Sequence, residues 1–259
     1  MQHTPADEAD RARPPGDDLA RSIIAWDVRN WSRAIPFWQR HLDATSRQPR
    51  RALALGERGG GLSLWLARQG IPVVCTDLGV SFDSARALHQ RHGVAHLVTY
   101  QDQDATDITY PDGAFDIVIW KSMLGALRTR DRQERALENI HRVLAPGGSA
   151  MFAENLVGSA LHQRLRARFV RWDSTWRYLD LTRDRTLLDA FDTVHLMTWG
   201  VFGTMGRSER QRHALGGLDS LISPLVPSAW RYIVFGIAQK GPVADYVRGD
   251  RKGSHPGPM

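Results

Sequence analysis

The sequence predicts an α/β domain built on a mostly parallel sheet with helices on both faces. Three observations carry that prediction. Short apolar runs recur from residue 51 onward, too brief for helices and spaced like buried strands. Between them lie segments whose apolar residues return every three or four positions, the helical period. The two kinds alternate, and strands joined by helix-length crossovers run parallel to one another.

Each element follows in order. Residues 1–19 have no apolar period and 241–259 are similar, so both are expected as flexible tails. Over 20–48, Ile23, Ile24, Trp26, Trp31, Ile35, Trp38 and Leu42 recur at mostly three- to five-residue steps. This spacing predicts N-terminal cap helices, with Pro36 marking a kink or a new first turn. The main domain is expected over 49–240. Strands are predicted at 51–55, 71–76, 97–100, 115–120, 149–154, 193–199 and 232–238. Helices are predicted through Leu62 to Ala67, at 84–92 and around 130–144, and Pro146-Gly147-Gly148 is expected to turn the chain into the fifth strand. An Arg- and Trp-rich stretch at about 157–185 interrupts the alternation. Following the fifth strand, it is expected to cap the ligand end of the sheet.

Composition narrows the function. Hydrophobic residues at 42% and charged residues at 24% exclude global disorder. No apolar run approaches the roughly 20 residues that span a bilayer, and no apolar segment follows the N-terminal charges, so a cytoplasmic protein without a membrane partner is expected. Cys75 is the only cysteine, which excludes an internal disulfide and a cysteine-based metal cluster. The net charge is +6, compatible with an anionic partner. Yet only Lys121, Lys240 and Lys252 are lysines among the 34 basic residues, and the arginines are scattered. Nucleic-acid binding normally leaves a concentrated basic face, so a small-molecule partner is expected instead, with an acidic one compatible with the charge. Oligomeric state is not legible.

Two spacings carry chemistry. Residues 51–67 read RALALGERGGGLSLWLA: a strand, a glycine-rich turn, a helix. Glycines there permit positive φ and close approach of a ligand to the backbone, although a tight turn with no ligand would look the same. Asp77 then closes the second strand, 77 − 56 = 21 residues beyond Gly56, near the distance at which a carboxylate meets ribose hydroxyls. An Asp capping the next helix is the alternative.

Downstream come Asp102-Gln-Asp104-Ala105, then Phe115-Asp116 opening the fourth strand, and Pro146-Gly147-Gly148 before the fifth. With the glycine turn and Asp77 in the same order, residues 51 to about 155 resemble the class I S-adenosylmethionine-dependent methyltransferases. The resemblance implies a Rossmann-like, doubly wound, mostly parallel seven-stranded sheet with an antiparallel last strand at 230–240. It also implies S-adenosylmethionine as cofactor. Asp77 with neighbouring Leu78 would hold the ribose, Asp104 the adenine amino group, and Ala105 the ring face. Gly56, Glu57, Arg58 and Gly60 would line the methionine portion. Two departures stand out: Ala54 where the family has an acid, and Arg58 where it has a second glycine.

The expected activity is methyl transfer to a small molecule, with oxygen as first acceptor atom, then nitrogen, then carbon, in a bacterial natural-product or sugar-tailoring setting. Removing an acceptor proton needs a base, for which His162 and Glu154 are the candidates. Lys121, Trp172, Trp176 and Arg177 are the candidate substrate contacts, and no metal is expected. The alternatives are a methyltransferase-fold protein that does not methylate, such as a cofactor-dependent cyclase, isomerase or binding subunit, and an RNA methyltransferase.

Overall fold

The computed structural model describes residues 15–45, 48–169 and 175–241, with residues 15–18, 166 and 169 described by backbone alone. The seven apolar runs are strands: β1 (Ala52–Leu55), β2 (Val73–Asp77), β3 (Val98–Asp102), β4 (Phe115–Lys121), β5 (Leu144–Asn155), β6 (Thr193–Trp199) and β7 (Ile233–Gln239). They form one sheet in the order β3-β2-β1-β4-β5-β7-β6. Strands β1 to β5 pair in parallel, whereas β7 runs antiparallel between β5 and β6. Every residue of β1 is buried, as expected for a central strand covered on both faces.

The helices are α1 (Pro15–Ile24), α2 (Val28–Trp31), α3 (Ala34–Ala44), α4 (Gly61–Arg68), α5 (Asp83–Arg91), α6 (Arg130–Val143), α7 (Ala160–Phe169) and α8 (Glu209–Ile222). Alternate residues of β4 serve opposite cores: Ile117 and Ile119 face α1 to α5, while Val118 and Trp120 face α6. That alternation is the period of two along a strand. It makes the sheet the middle of three layers.

Three boundaries differ from expectation. Helix α1 begins at Pro15, inside the expected tail, because proline at a first helical position has a preset φ and lacks only an N–H that the helix would leave unpaired. Strand β3 extends to Asp102 because its last residue pairs with Asp77 of β2. Strand β5 begins before the Pro146-Gly147-Gly148 turn. Leu144 pairs with Phe115, the register shifts, and pairing resumes at Ile117 with Ser149.

The N-terminal helices pack into the main core: Ile24, Trp31, Ala34 and Trp38 have no exposed surface. A buried polar network ties them to the β6–β7 connection, a segment the sequence did not single out. The Asn30 side-chain amide donates to Asp27 (3.2 Å), Asp219 (2.9 Å) and the Tyr232 hydroxyl (3.0 Å). Asp219 in α8 accepts the backbone N–H groups of Val201 (3.0 Å), Phe202 (2.7 Å) and Gly203 (2.9 Å). The Tyr232 hydroxyl donates to Asp27. A buried charge is tolerated when such donors surround it.

No helix among the described residues is long and apolar enough to cross a membrane.

Helix α1 approaches the main domain closely at Gly61. A Cβ there would lie 2.1 Å from the Ile23 carbonyl oxygen, so only glycine lets α1 reach the turn. Gly61→Ala should therefore lower unfolding free energy by about 1–3 kcal/mol, the usual cost of overpacking. Urea unfolding checks this, and an unchanged midpoint would mean that α1 is not seated on the turn.

Candidate active site

The strand order brings the ends of β3, β2, β1, β4 and β5 to one edge, with Asp102, Asp77, Leu55, Lys121 and Asn155 as their last residues. The order in which strands are added reverses between β1 and β4, where open α/β sheets bind ligands.

The turn after β1 divides its glycines between two tasks. Gly56 has φ +68°, and a Cβ there would press on Met123 at 3.2 Å. Gly60 has φ +75°, and its Cβ would strike the His89 ring at 2.7 Å. The His89 ring is held there by the Gly60 carbonyl (2.8 Å) and the Tyr100 hydroxyl (2.7 Å). Gly60 and Gly61 thus serve the chain's own packing. Around Gly59 nothing lies within 4 Å of a Cβ, so Gly59 alone of these glycines faces open space. Arg58 is exposed.

Glu57 corrects an expectation. Its carboxylate is buried and accepts the Ser63 N–H (2.8 Å) and hydroxyl (2.7 Å), so it turns toward the start of α4 and not toward a ligand. A carboxylate at a helix N-terminus is favoured by the unpaired N–H groups and the dipole. Ala54 is fully buried, and Glu57 supplies the acid that braces this turn. Burial nonetheless pushes its pKa up, against the pull of the Ser63 and Leu62 donors and the Lys121 charge.

At the end of β2, one Asp77 oxygen accepts the Leu78 N–H at 2.8 Å. The other has no hydrogen bond among the described residues, and Leu78 beside it is 55% exposed. Asp104 binds the Thr106 N–H and hydroxyl through one oxygen, both at 2.8 Å, and its other oxygen lies 3.7 Å from Arg132. Ala105 is buried behind it. An acceptor carboxylate with a spare oxygen, an apolar neighbour and a positive-φ glycine on the adjacent strand form a cradle that fits a ribose with an attached base.

The ends of β4 and β5 hold the buried charges. Lys121 donates no hydrogen bond to any described residue, and its ammonium lies 5.1 Å from the centre of the Trp31 ring. Burial lowers its pKa, opposed by the charges of Glu57, Glu154 and Asp27. Ser122 follows at φ +52°, a strained backbone for a residue with a Cβ, and its hydroxyl accepts from Asn155 at 3.1 Å. Glu154 is fully buried. One of its oxygens accepts the N–H groups of Met123 (2.8 Å) and Leu124 (2.7 Å), while the other has no partner. Burial raises the Glu154 pKa to about 7 despite those donors.

His162 does not take the role expected of it. Its ring is 1% exposed, with one nitrogen on the Val201 carbonyl (2.5 Å) and the other on the Ser159 hydroxyl (2.8 Å). With both nitrogens committed, no lone pair is left for a substrate proton. Arg177 is corrected in the same way. Its guanidinium binds Asp184 at 2.6 Å and also donates to Gln133, while Arg130 joins Asp184 at 3.0 Å. This cluster holds the chain beyond residue 175 against α6. Trp176 packs on Gly125, where a Cβ would lie 1.9 Å from the indole nitrogen, and that nitrogen is buried without a partner. Trp172 lies outside the described residues.

Sequence reasoning missed Asp219, although this is the only charged side chain in residues 214–230, a signal that was available.

Comparison with known proteins agrees with the geometry. Residues 53–152 match the family described as "Methyltransferase domain". The match is confined to those residues, and the fold around them is the one seen in S-adenosylmethionine-dependent methyltransferases. The chain is 36% identical over 112 residues to a glycine/sarcosine/dimethylglycine N-methyltransferase of Actinopolyspora halophila, covering 42% of this chain and 19% of that protein. It is 31% identical over 145 residues to a demethylmenaquinone methyltransferase of Thermus thermophilus, covering 54% and 61% respectively. The chain thus spans less than two thirds of the length of these curated relatives. Among solved structures, a Haemonchus contortus phosphoethanolamine N-methyltransferase 2 with S-adenosyl-L-methionine superposes with TM-score 0.61 at 17% identity, covering 93% of this chain and 60% of that one. The [4+2]-cyclase SpnF superposes with TM-score 0.52 at 21% identity, covering 80% and 81%. These two likenesses establish the methyltransferase fold.

The raised carboxyl groups of the site have a thermodynamic signature. Asp27 is also pushed up to about 7, chiefly by burial, with Asp219 and Glu209 adding to it against the Tyr232 and Asn30 hydrogen bonds. A carboxyl raised in the folded state holds its proton where the unfolded chain has lost it, so folding stability falls as pH rises from the ordinary carboxylate range to about 7. Unfolding free energy should therefore be lower at about pH 8 than at about pH 5 for these two groups, and Glu154→Gln with Asp27→Asn should flatten the slope. Denaturant titrations across that range check it, and an unaltered slope in the double variant would contradict the assignment.

Proposed function

We propose that the chain transfers a methyl group from S-adenosylmethionine to a small-molecule acceptor. The observation that carries this reading is the spare Asp77 oxygen at the end of β2, beside the positive-φ Gly56 at the end of β1, in a domain that matches methyltransferases. S-adenosylmethionine supplies an activated methyl on a sulfonium, and transfer of that methyl needs no metal. In this reading Asp77 accepts from the ribose hydroxyls, Asp104 uses its outer oxygen for the adenine amino group, and Leu78 and Ala105 flank the ring. Gly59 leaves room for the amino-acid end, and the positive φ of Gly56 sets the turn beside it.

The chain's own part in catalysis is to orient the acceptor and remove its proton. Glu154 suits the second task. A carboxyl near pH 7 in its protonation balance is a competent base at neutral pH, and its free oxygen is already desolvated. The Met123 and Leu124 donors hold the other oxygen still. Lys121, at the end of β4, contacts the acceptor's polar group. A bacterial tailoring role is supported by the Arg-for-Lys bias and by the bacterial relatives.

Calorimetric titration with S-adenosylhomocysteine tests the cofactor half. The wild-type protein should bind it, and Asp77→Ala should weaken binding by about 1–3 kcal/mol, the cost of losing hydrogen bonds to a charged group. Unchanged affinity would remove Asp77 from the site. For the chemical half, Glu154→Gln should reduce turnover by about 10²- to 10⁴-fold with cofactor affinity unaltered. Turnover near the wild-type value would show that Glu154 is not the base.

A further inference from the structure

His89 in α5 is fully buried, and both of its ring nitrogens are engaged. Nε2 lies 2.8 Å from the Gly60 carbonyl oxygen, and Nδ1 lies 2.7 Å from the Tyr100 hydroxyl. A carbonyl oxygen can only accept, so Nε2 carries the proton. In the neutral ring Nδ1 is then an acceptor, and the Tyr100 O–H donates to it. Burial favours the neutral ring and His92 adds to this, against the pull of the Gly60 carbonyl. The direction of donation is therefore fixed, from Tyr100 to His89 and from His89 to Gly60.

Gly60 is where this chain of bonds meets the turn. Its carbonyl also accepts the Leu64 N–H at 2.9 Å, the first hydrogen bond of α4, and its own N–H donates to the Glu57 carbonyl at 3.1 Å. The peptides on both sides of Gly60 are thus bonded, and turning either one would break a hydrogen bond. Its φ is +75°, and a Cβ there would lie 2.7 Å from the His89 ring, so ring and glycine fit each other without spare room. One residue earlier stands Gly59, with open space around it. The direction in which that open part of the turn faces is set by the peptide that His89 holds. His89 itself is carried by α5, which follows the end of β2, and Tyr100 by β3. The ring therefore ties the turn after β1 to the elements beside Asp77.

We infer that His89 is a positioning residue for the cofactor: by holding the Gly60 carbonyl it orients the open side of the turn at Gly59, where the amino-acid end of S-adenosylmethionine lies. This rests on the methyltransferase reading and adds to it a residue that touches no ligand and acts through the backbone. Tyr100 supports the same task one step back, because its O–H keeps the ring in the tautomer that donates to Gly60. Loss of the hold loosens the amino-acid end of the cofactor and leaves the ribose and adenine contacts at Asp77 and Asp104 in place.

Calorimetry on the full chain tests this with S-adenosylhomocysteine and 5′-methylthioadenosine, the second of which keeps the adenine and ribose but lacks the amino-acid end. His89→Gln places an amide nitrogen at the reach of Nε2 and keeps a donor for Gly60. The shorter side chain of His89→Asn places its nitrogen near Nδ1 and loses that donor. His89→Asn should weaken S-adenosylhomocysteine about three- to tenfold, the worth of one hydrogen bond, while 5′-methylthioadenosine changes by less than about twofold. His89→Gln should restore most of the lost affinity. In the ligand-free chain, amide hydrogen exchange at Leu64 should quicken in His89→Asn and stay near the wild-type rate in His89→Gln. Unchanged S-adenosylhomocysteine affinity in His89→Asn would overturn the inference. So would equal losses for the two probes, because the ring would then support the fold at large and not the amino-acid end. A wild-type protein that binds neither probe would overturn the methyltransferase reading instead, and exchange at Leu64 would still report whether His89 holds Gly60.

Discussion

The turn leaving β1 is pressed from two sides. Beneath it the His89 ring occupies the space where a Gly60 Cβ would be, and beside it the Ile23 carbonyl does the same at Gly61. A turn so confined has one geometry, and that geometry leaves open space around Gly59 while Gly56 packs close to Met123. The N-terminal helices are therefore part of what shapes the site. Through Trp31 they reach the Lys121 ammonium at the end of β4, and through Asn30 and Asp27 they are tied to α8 and β7. The site depends on an interaction between segments about 200 residues apart, Asp27 with Tyr232 being separated by 205.

Glu57 shows how the same turn tolerates its unusual sequence. An acid two residues before the first glycine would brace the loop from the strand, but Ala54 is packed there with no exposed surface. The brace comes instead from within the loop, where Glu57 caps the first turn of α4 through Ser63. Arg58 replaces a glycine without closing the turn because its side chain runs outward to solvent.

Much of the architecture was legible because strands buried on both faces read as short apolar runs and helices as periodic ones. Those signals are local, and the seven strands lie where they predict. The place of Asp77 at the end of β2 was legible too, since strand ends and glycine spacing are linear features. What could not be read is which polar side chains are already satisfied. His162 has the residue type and the chain position of a base, yet Val201 and Ser159, the first of them 39 residues away, take both of its nitrogens. Arg177 is taken by Asp184 and Gln133 in the same way. Conversely Glu154 and Trp31 keep open polar atoms only because of how three elements meet. Linear spacing reveals where a group sits along the chain, and only packing reveals whether its hydrogen bonds remain available.

A crystal structure of the chain with S-adenosylhomocysteine bound is the most direct measurement of this account. The account predicts the ribose hydroxyls within hydrogen-bonding distance of the Asp77 carboxylate and the sulfur near the ends of β1 and β4, with α1 still seated on Gly61. A ligand located elsewhere, or an Asp77 side chain facing away from the ribose, would contradict it.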